Sequence, residues 1–169
     1  MLGVEIKKPK GSGALIWLAP AAVIVLLDQI TKIWVSRSME LYDSIAVMPF
    51  LNIRLLHNPG AAFSFLADAG GWQRWFLTIL ASLVSLGIIA WLWYLPRYGE
   101  RRLACGLAFI LGGAVGNLID RIAYGYVVDF IDFYVGDWHW PAFNVADAAI
   151  TIGAALVIID SFWPRRQGS

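Results

Sequence analysis

Four apolar runs constrain this chain more than any other feature. Ala14 to Leu27 is continuous apolar sequence, Trp75 to Leu95 ends at Pro96, Leu103 runs through GLAFILGGAVGNLI to Asp120 and Arg121, and Val145 to Trp163 is closed by Pro164, Arg165 and Arg166. A helix needs about 20 residues to cross the hydrocarbon core of a bilayer. The first run must therefore continue through LDQITKIWV, which carries Asp28 and Lys32 to its far end on one helix face. The predicted spans are 14–35, 75–95, 103–121 and 145–163. With 59% hydrophobic and 15% charged residues, against roughly a quarter charged in soluble domains, this is a membrane protein.

Other classes fall away on composition. A net charge of +1 without a long basic run gives no basis for nucleic-acid binding. The single Cys105 rules out an internal disulfide framework and a multi-cysteine metal site, and two histidines without helical pairing do not make a zinc site. Residues 1–13, basic through Lys7, Lys8 and Lys10, resemble the start of a signal peptide, but the apolar run continues past Ala19 and Ala21, as an uncleaved first span would. No repeat or linker interrupts the chain, so residues 1–169 read as a single integral-membrane domain.

Between the spans, the sequence is of a different kind. LNIRL (Leu51 to Leu55) alternates as a short strand does, NPG at 58–60 is a turn signal, and AAFSFLADAGGWQRW mixes aromatic, small and polar residues as an interfacial segment does. Lys7, Lys8, Lys10, Arg97, Arg101, Arg102, Arg165 and Arg166 all fall on one side of a four-span topology. By the positive-inside rule both termini are cytoplasmic and both larger loops lie outside. Asp28, Asn117, Asp120, Arg121, Asp129 and Asp147 then gather at the outer end of the bundle.

The stretch from Tyr126 to Asp147 is where polar groups concentrate. Ionisable groups beside membrane spans are costly and tend to be functional, yet each has a plain alternative. Asn144 and Asp147 have the spacing of a capping box at the start of the fourth helix, which alone accounts for Asp147 equally well. Asp132 and Asp137 compete with Asp129 and read as solvated loop residues. Asn117 and Arg121 share a face near Asp120, as a salt-bridged helix end would, Asp28 with Lys32 reads as a structural ion pair, and Asn58 as a turn former.

Five blocks in order, LDQITK (27–32), NPGAAFSFL (58–66), GGAVGNLIDR (112–121), VVDFIDF (127–133) and FNVADAAI (143–150), resemble the lipoprotein signal peptidase family, also called signal peptidase II. The resemblance extends from the first span to the last. It implies a four-helix membrane bundle with a small extracytoplasmic β-sheet and an interfacial helix. It also implies an aspartic endopeptidase of the bacterial cytoplasmic (inner) membrane that cleaves diacylglyceryl-modified prolipoproteins before the lipidated Cys, with its site near the outer, periplasmic face. Asp129 and Asp147 match the catalytic aspartates, Asn58, Arg121 and Asn144 the polar residues lining the substrate site, and Asp28, Lys32, Asn117 and Asp120 supporting positions. Val145 departs from the family's frequent Leu, and His57 falls where the family varies. The expected partners are the prolipoprotein signal peptide and membrane lipid, with no nucleic acid and the enzyme acting as a monomer; no metal or organic cofactor is implied.

Two carboxylates about 4 Å apart at an effective dielectric of about 20 repel by about 4 kcal/mol, enough to move one pKa by about three units. Such a pair shares a proton near neutrality. Because a helix N-terminus favours an anion, Asp147 is expected to be the ionised partner and Asp129 the acid. A cysteine nucleophile at Cys105 would lie a membrane thickness from the acids, and Ser64 with His57 lacks an orienting acid. The alternative from another class is a small proton-linked or cation-binding transporter or channel component, which predicts acids spread through the membrane thickness; here only Asp160 stands apart from the cluster.

Overall fold

A computed structural model of the chain describes residues 13–60, 70–96 and 99–162. After a 3₁₀ turn at Leu15–Trp17 come α1 (Leu18–Ser38), β1 (Ser44–Met48), β2 (Leu51–Asn58), α2 (Trp72–Tyr94), α3 (Arg101–Ala123), β3 (Val127–Val135), β4 (Trp138–His139) and α4 (Val145–Phe162). All four helices are long and apolar enough to cross a membrane. Each helix begins and ends within a few residues of one of the expected apolar runs. The main shift is at α2, whose first turn takes in Trp72 to Trp75, residues whose polar and aromatic mix suggested an interfacial segment. Gln73 closes this end by accepting the Gly71 N–H at 2.7 Å, and residues 61–69 of that segment lie outside the described residues.

The helix α3 is mostly buried and packs against α1, α2 and α4, whereas those three leave most of their residues facing outward. That position depends on small residues. A Cβ at Gly113 would collide with the carbonyl of Ala146 on α4, and one at Gly116 would stand 2.6 Å from Asp28 Oδ2 on α1. Away from the sheet the bundle closes on Ala14, Leu92, Leu95, Leu107 and Leu111.

At the opposite end the four strands form an antiparallel sheet in the order β1-β2-β3-β4. Cross-strand pairs Leu56↔Asp129, His57↔Val128 and Asn58↔Val127 fix the β2–β3 register. Because side chains alternate between faces, Val128 and Phe130 pack with Val35 and Leu55, while Asp129 turns to the other face, toward α4. The segment after β4 returns through Phe143, whose backbone pairs with Ile131 at 2.8 Å, and this brings the start of α4 against β3.

Strand alternation corrects one expectation. Asp132 is not a solvated loop residue: it lies on β3, three residues from Asp129 and on the opposite face, and is 2% exposed. Asn52 Nδ2 donates to it at 3.0 Å and His139 Nδ1 lies 2.8 Å from its other oxygen. Burial pushes its pKa up, but hydrogen bonds from His139 and Asn52 outweigh that and hold it below the ordinary carboxylate range. Asp137, in the β3–β4 turn, is exposed.

Candidate active site

The site is assembled around the first turn of α4. A helix N-terminus leaves several N–H groups without partners, and three side-chain arrangements satisfy them here. The Asp147 N–H donates to Asn144 Oδ1 at 2.9 Å, and Asp147 Oδ2 accepts the Asn144 N–H at 3.3 Å, completing the capping box. The Ala146 N–H donates across the bundle to Asp28 Oδ1 at 2.9 Å. With its oxygen committed to the cap, the Asn144 amide must aim its NH₂ away from the helix. That group donates to Asp129 Oδ1 at 2.7 Å, with Asn117 Oδ1 and Val128 O both at 3.2 Å. One fully buried asparagine therefore holds both acids.

Asp129 is 3% exposed. Its second oxygen accepts from Asn58 Nδ2 at 3.0 Å, while Asn58 Oδ1 accepts the Gly60 N–H at 2.9 Å. Asn58 is thus turn former and site residue at once, because the two ends of its amide do different things. Burial and the charge of Asp147 push the Asp129 pKa up to about 7, against the opposing pull of the Asn58 and Asn144 amides.

Asp147 is supported from behind. Asn117 Nδ2 donates to Asp147 Oδ1 at 2.8 Å, and Asn117 Oδ1 accepts from Lys32 Nζ at 2.9 Å. The same ammonium lies 2.7 Å from Asp28 and 2.9 Å from Asp120, so all three of its protons have acceptors. Asp120 also takes the Val128 N–H at 3.1 Å and Gln29 Nε2 at 2.9 Å, which ties α1 and α3 to the strand that carries Asp129. Asp28, Lys32 and Asp120 are all at least 97% buried. Breaking such a buried cluster by removing one partner costs about 3–5 kcal/mol.

Arg121 donates from Nη2 to Gly60 O at 3.0 Å, while its Nε is buried without a hydrogen-bond partner among the described residues. The turn of chain around it is pinned by Arg74, which donates to the carbonyls of Arg121 and Ile122 at 2.9 and 3.0 Å.

Asn58, Arg121, Asp129 and Asp147 all line a cavity of about 590 Å³ whose remaining walls are largely apolar, including Ala114, Phe143 and Ile152. A bound chain segment would meet two carboxylates and a few amides inside greasy walls, the usual composition of a ligand site. Among the described residues no group of three or more His, Cys, Asp and Glu side chains is arranged to hold a metal ion.

All nine residues singled out from the sequence converge here. Gln29, Val128 and Arg74 were not anticipated: a glutamine beside Asp28 and an arginine in WQRW carry no signal of their own without the partners that folding supplies. His57 points away from the site, alternating with Asn58, and stacks on Tyr126 with ring centroids 3.9 Å apart. Burial lowers its pKa, leaving the ring neutral at pH 7. Ser64 lies outside the described residues. At the other end of the bundle Asp160 pairs with Arg102 at 3.5 Å, so the acids are not distributed along a transmembrane path as the transporter alternative requires.

The model of the family described as signal peptidase (SPase) II matches residues 20–163. The chain belongs to the signal peptidase II family. Its relatives include lipoprotein signal peptidases of Alteromonas mediterranea, 56% identical over 87% of this chain and 79% of the relative, and of Cupriavidus taiwanensis, 57% identical over 86% and 82%. That of Paraburkholderia phymatum is 52% identical over 92% of both chains. A solved structure described as a bacterial membrane enzyme, determined by the in meso method at 2.3 Å resolution, shares the fold with a TM-score of 0.76 at 30% identity, covering 91% of this chain and 94% of its own. The four apolar helices and small antiparallel sheet are thus a signal peptidase II fold, and the chain is an aspartic protease rather than a transporter.

Proposed function

We propose that Asp129 and Asp147 are the catalytic pair with which this signal peptidase II family member removes signal peptides from prolipoproteins, cleaving before a Cys that carries a diacylglyceryl group. The observation that carries this reading is Asn144, which donates to Asp129 from its side chain and exchanges two hydrogen bonds with Asp147 through its cap.

Asp129, with its pKa pushed up to about 7, is protonated below neutrality and still about half protonated at pH 7. Asp147 stands at a helix N-terminus with the Asn117 amide on one oxygen, an arrangement suited to an anion. Asp147 takes a proton from a water as it attacks the scissile carbonyl, and Asp129 gives its proton to the developing oxyanion. On collapse of the tetrahedral intermediate, Asp147 passes its proton to the leaving amine and Asp129 recovers one from the intermediate hydroxyl, which restores the starting state. Asn58 and Asn144 orient Asp129, Arg121 in the cavity wall meets a substrate carbonyl, and the Asp28–Lys32–Asp120–Asn117 cluster keeps Asp147 in place.

The same reading puts the enzyme in the bacterial cytoplasmic membrane as a single-domain monomer. Its termini are inside, its site is near the outer face, and family membership adds an interfacial helix to the bundle and sheet. The arginine and lysine distribution supports that orientation. It also fits the substrate, whose lipid and apolar signal helix hold the scissile bond at membrane-surface depth.

The test is cleavage of a diacylglyceryl-modified prolipoprotein by the purified enzyme in detergent. D129N and D147N should each lose about 10³-fold or more in rate, the size expected for general acid–base groups. Undiminished cleavage by either variant refutes the pair.

A further inference from the structure

A second cavity, of about 450 Å³, lies on the other face of the β2–β3 pair from the catalytic groove. One wall is a row of rings: His57 stacks on Tyr126 at 3.9 Å, and Tyr126 on Tyr124 at 5.9 Å. Facing them are Ser36 and Arg37 from the last turn of α1, and the floor is the Lys32–Asp120 pair. Lys32 is fully engaged by Asp28 and Asp120. Arg37 is exposed and has no ion-pair or hydrogen-bond partner among the described residues. Of the two cations lining the pocket, Arg37 is therefore the one left without a counter-ion, beside mixed polar and apolar walls and a neutral imidazole with no hydrogen-bond partner among the described residues.

What lies below Arg37 identifies the occupant. Ile33 lines the pocket and, with Ile30 and Leu26, is exposed on α1. These residues precede Arg37 by 4, 7 and 11 positions and share its helix face. At 1.5 Å per residue the stripe from Arg37 to Leu26 is about 16 Å long, close to half of the roughly 30 Å hydrocarbon core. A cationic, hydroxyl-lined pocket thus sits above an apolar track one leaflet deep.

We propose that this pocket binds the headgroup of an anionic phospholipid, its phosphate on Arg37 and its acyl chain along Ile33, Ile30 and Leu26, in the leaflet at the site end of the bundle. Ser36 and the tyrosine hydroxyls supply donors to phosphate and glycerol oxygens. The floor of this pocket touches the catalytic groove only indirectly, through the Lys32–Asn117–Asp147 hydrogen bonds, and lipid binding does not depend on which aspartates perform the chemistry.

Native mass spectrometry of the full-length protein in detergent, with phosphatidylglycerol and phosphatidylcholine added in equal amounts, tests this directly. The wild type should retain phosphatidylglycerol about tenfold better, the scale of a charge-assisted hydrogen bond. R37Q should lose that preference, and R101Q, which removes an arginine at the other end of the bundle, should keep it. S36W leaves the Arg37 charge but fills the pocket, and should also lose the preference; retention by S36W would reduce the effect to general attraction of a basic residue to anionic lipid and overturn the pocket. Equal retention by R37Q and wild type overturns the proposal. So does displacement of the lipid by millimolar inorganic phosphate, which would make this a site for the free anion.

Discussion

Asn144 shows how far one residue's chemistry reaches when both ends of its amide are committed. Its oxygen caps α4, and for that reason its NH₂ faces Asp129. Substitution by aspartate keeps the capping oxygen and removes the donor, placing a third carboxylate against Asp129. N144D should therefore keep α4 intact and lose activity by about 10²-fold or more, whereas N144A should lose activity together with about 1 kcal/mol of capping stability. Rates and thermal melting of the two variants separate these effects. Asn117 works by the same logic, with Lys32 on its oxygen and Asp147 on its nitrogen. Both asparagines stood out in the sequence, but their double use did not. A capping box can be read from spacing; the direction in which the remaining amide hydrogens point depends on a strand from elsewhere in the chain.

The helix α3 and strand β3 govern the site through their backbones. Gly116 allows Asp28 close enough to cap α4, and an added methyl would meet Asp28 Oδ2 at 2.6 Å. G116A should lower the melting temperature, with a cost of about 1–3 kcal/mol for overpacking, and should reduce activity by displacing Asp28 and, with it, the Ala146 end of the cap. The small-residue run GGAVG was legible as a close-packing face because helix periodicity follows from sequence alone. Strand β3 was less legible. VVDFIDF alternates imperfectly, and nothing local says that Asp129 and Asp132 face opposite ways until β2 fixes the register and α4 covers one side. Asp132 then belongs to a clasp with Asn52 and His139 that holds the hairpin leading to Trp140 and Phe143, both in the wall of the catalytic cavity. D132A should raise KM for the prolipoprotein by several-fold with kcat little changed; an equal fall in kcat would show that Asp132 reaches the chemistry.

For the whole molecule, the four long apolar helices and the gathering of polar residues at one bundle end were readable because lipid allows little choice: apolar length sets the helices. How Asp129 meets Asp147 was not readable, because it depends on Phe143 pairing with Ile131 after a hairpin. Their meeting has a consequence for stability. An acid whose pKa is about 7 when folded, and ordinary when unfolded, binds more protons in the folded state between about pH 4 and 7. Its contribution therefore favours the folded state at low pH and is lost as pH rises through that window, by on the order of 4 kcal/mol. Thermal stability in detergent should decline from pH 4 to pH 7 in the wild type, and that decline should flatten in D129N.

The same proton gives the most direct test of the catalytic pair. Infrared difference spectra of the wild type, D129N and D147N, recorded as a pH titration, report the carbonyl band of a protonated buried carboxylic acid. The band that titrates near pH 7 should be present in the wild type and absent from D129N, and in D147N it should titrate at lower pH because the neighbouring charge is gone. A band that persists unchanged in D129N and disappears in D147N would assign the proton to Asp147 and contradict the account.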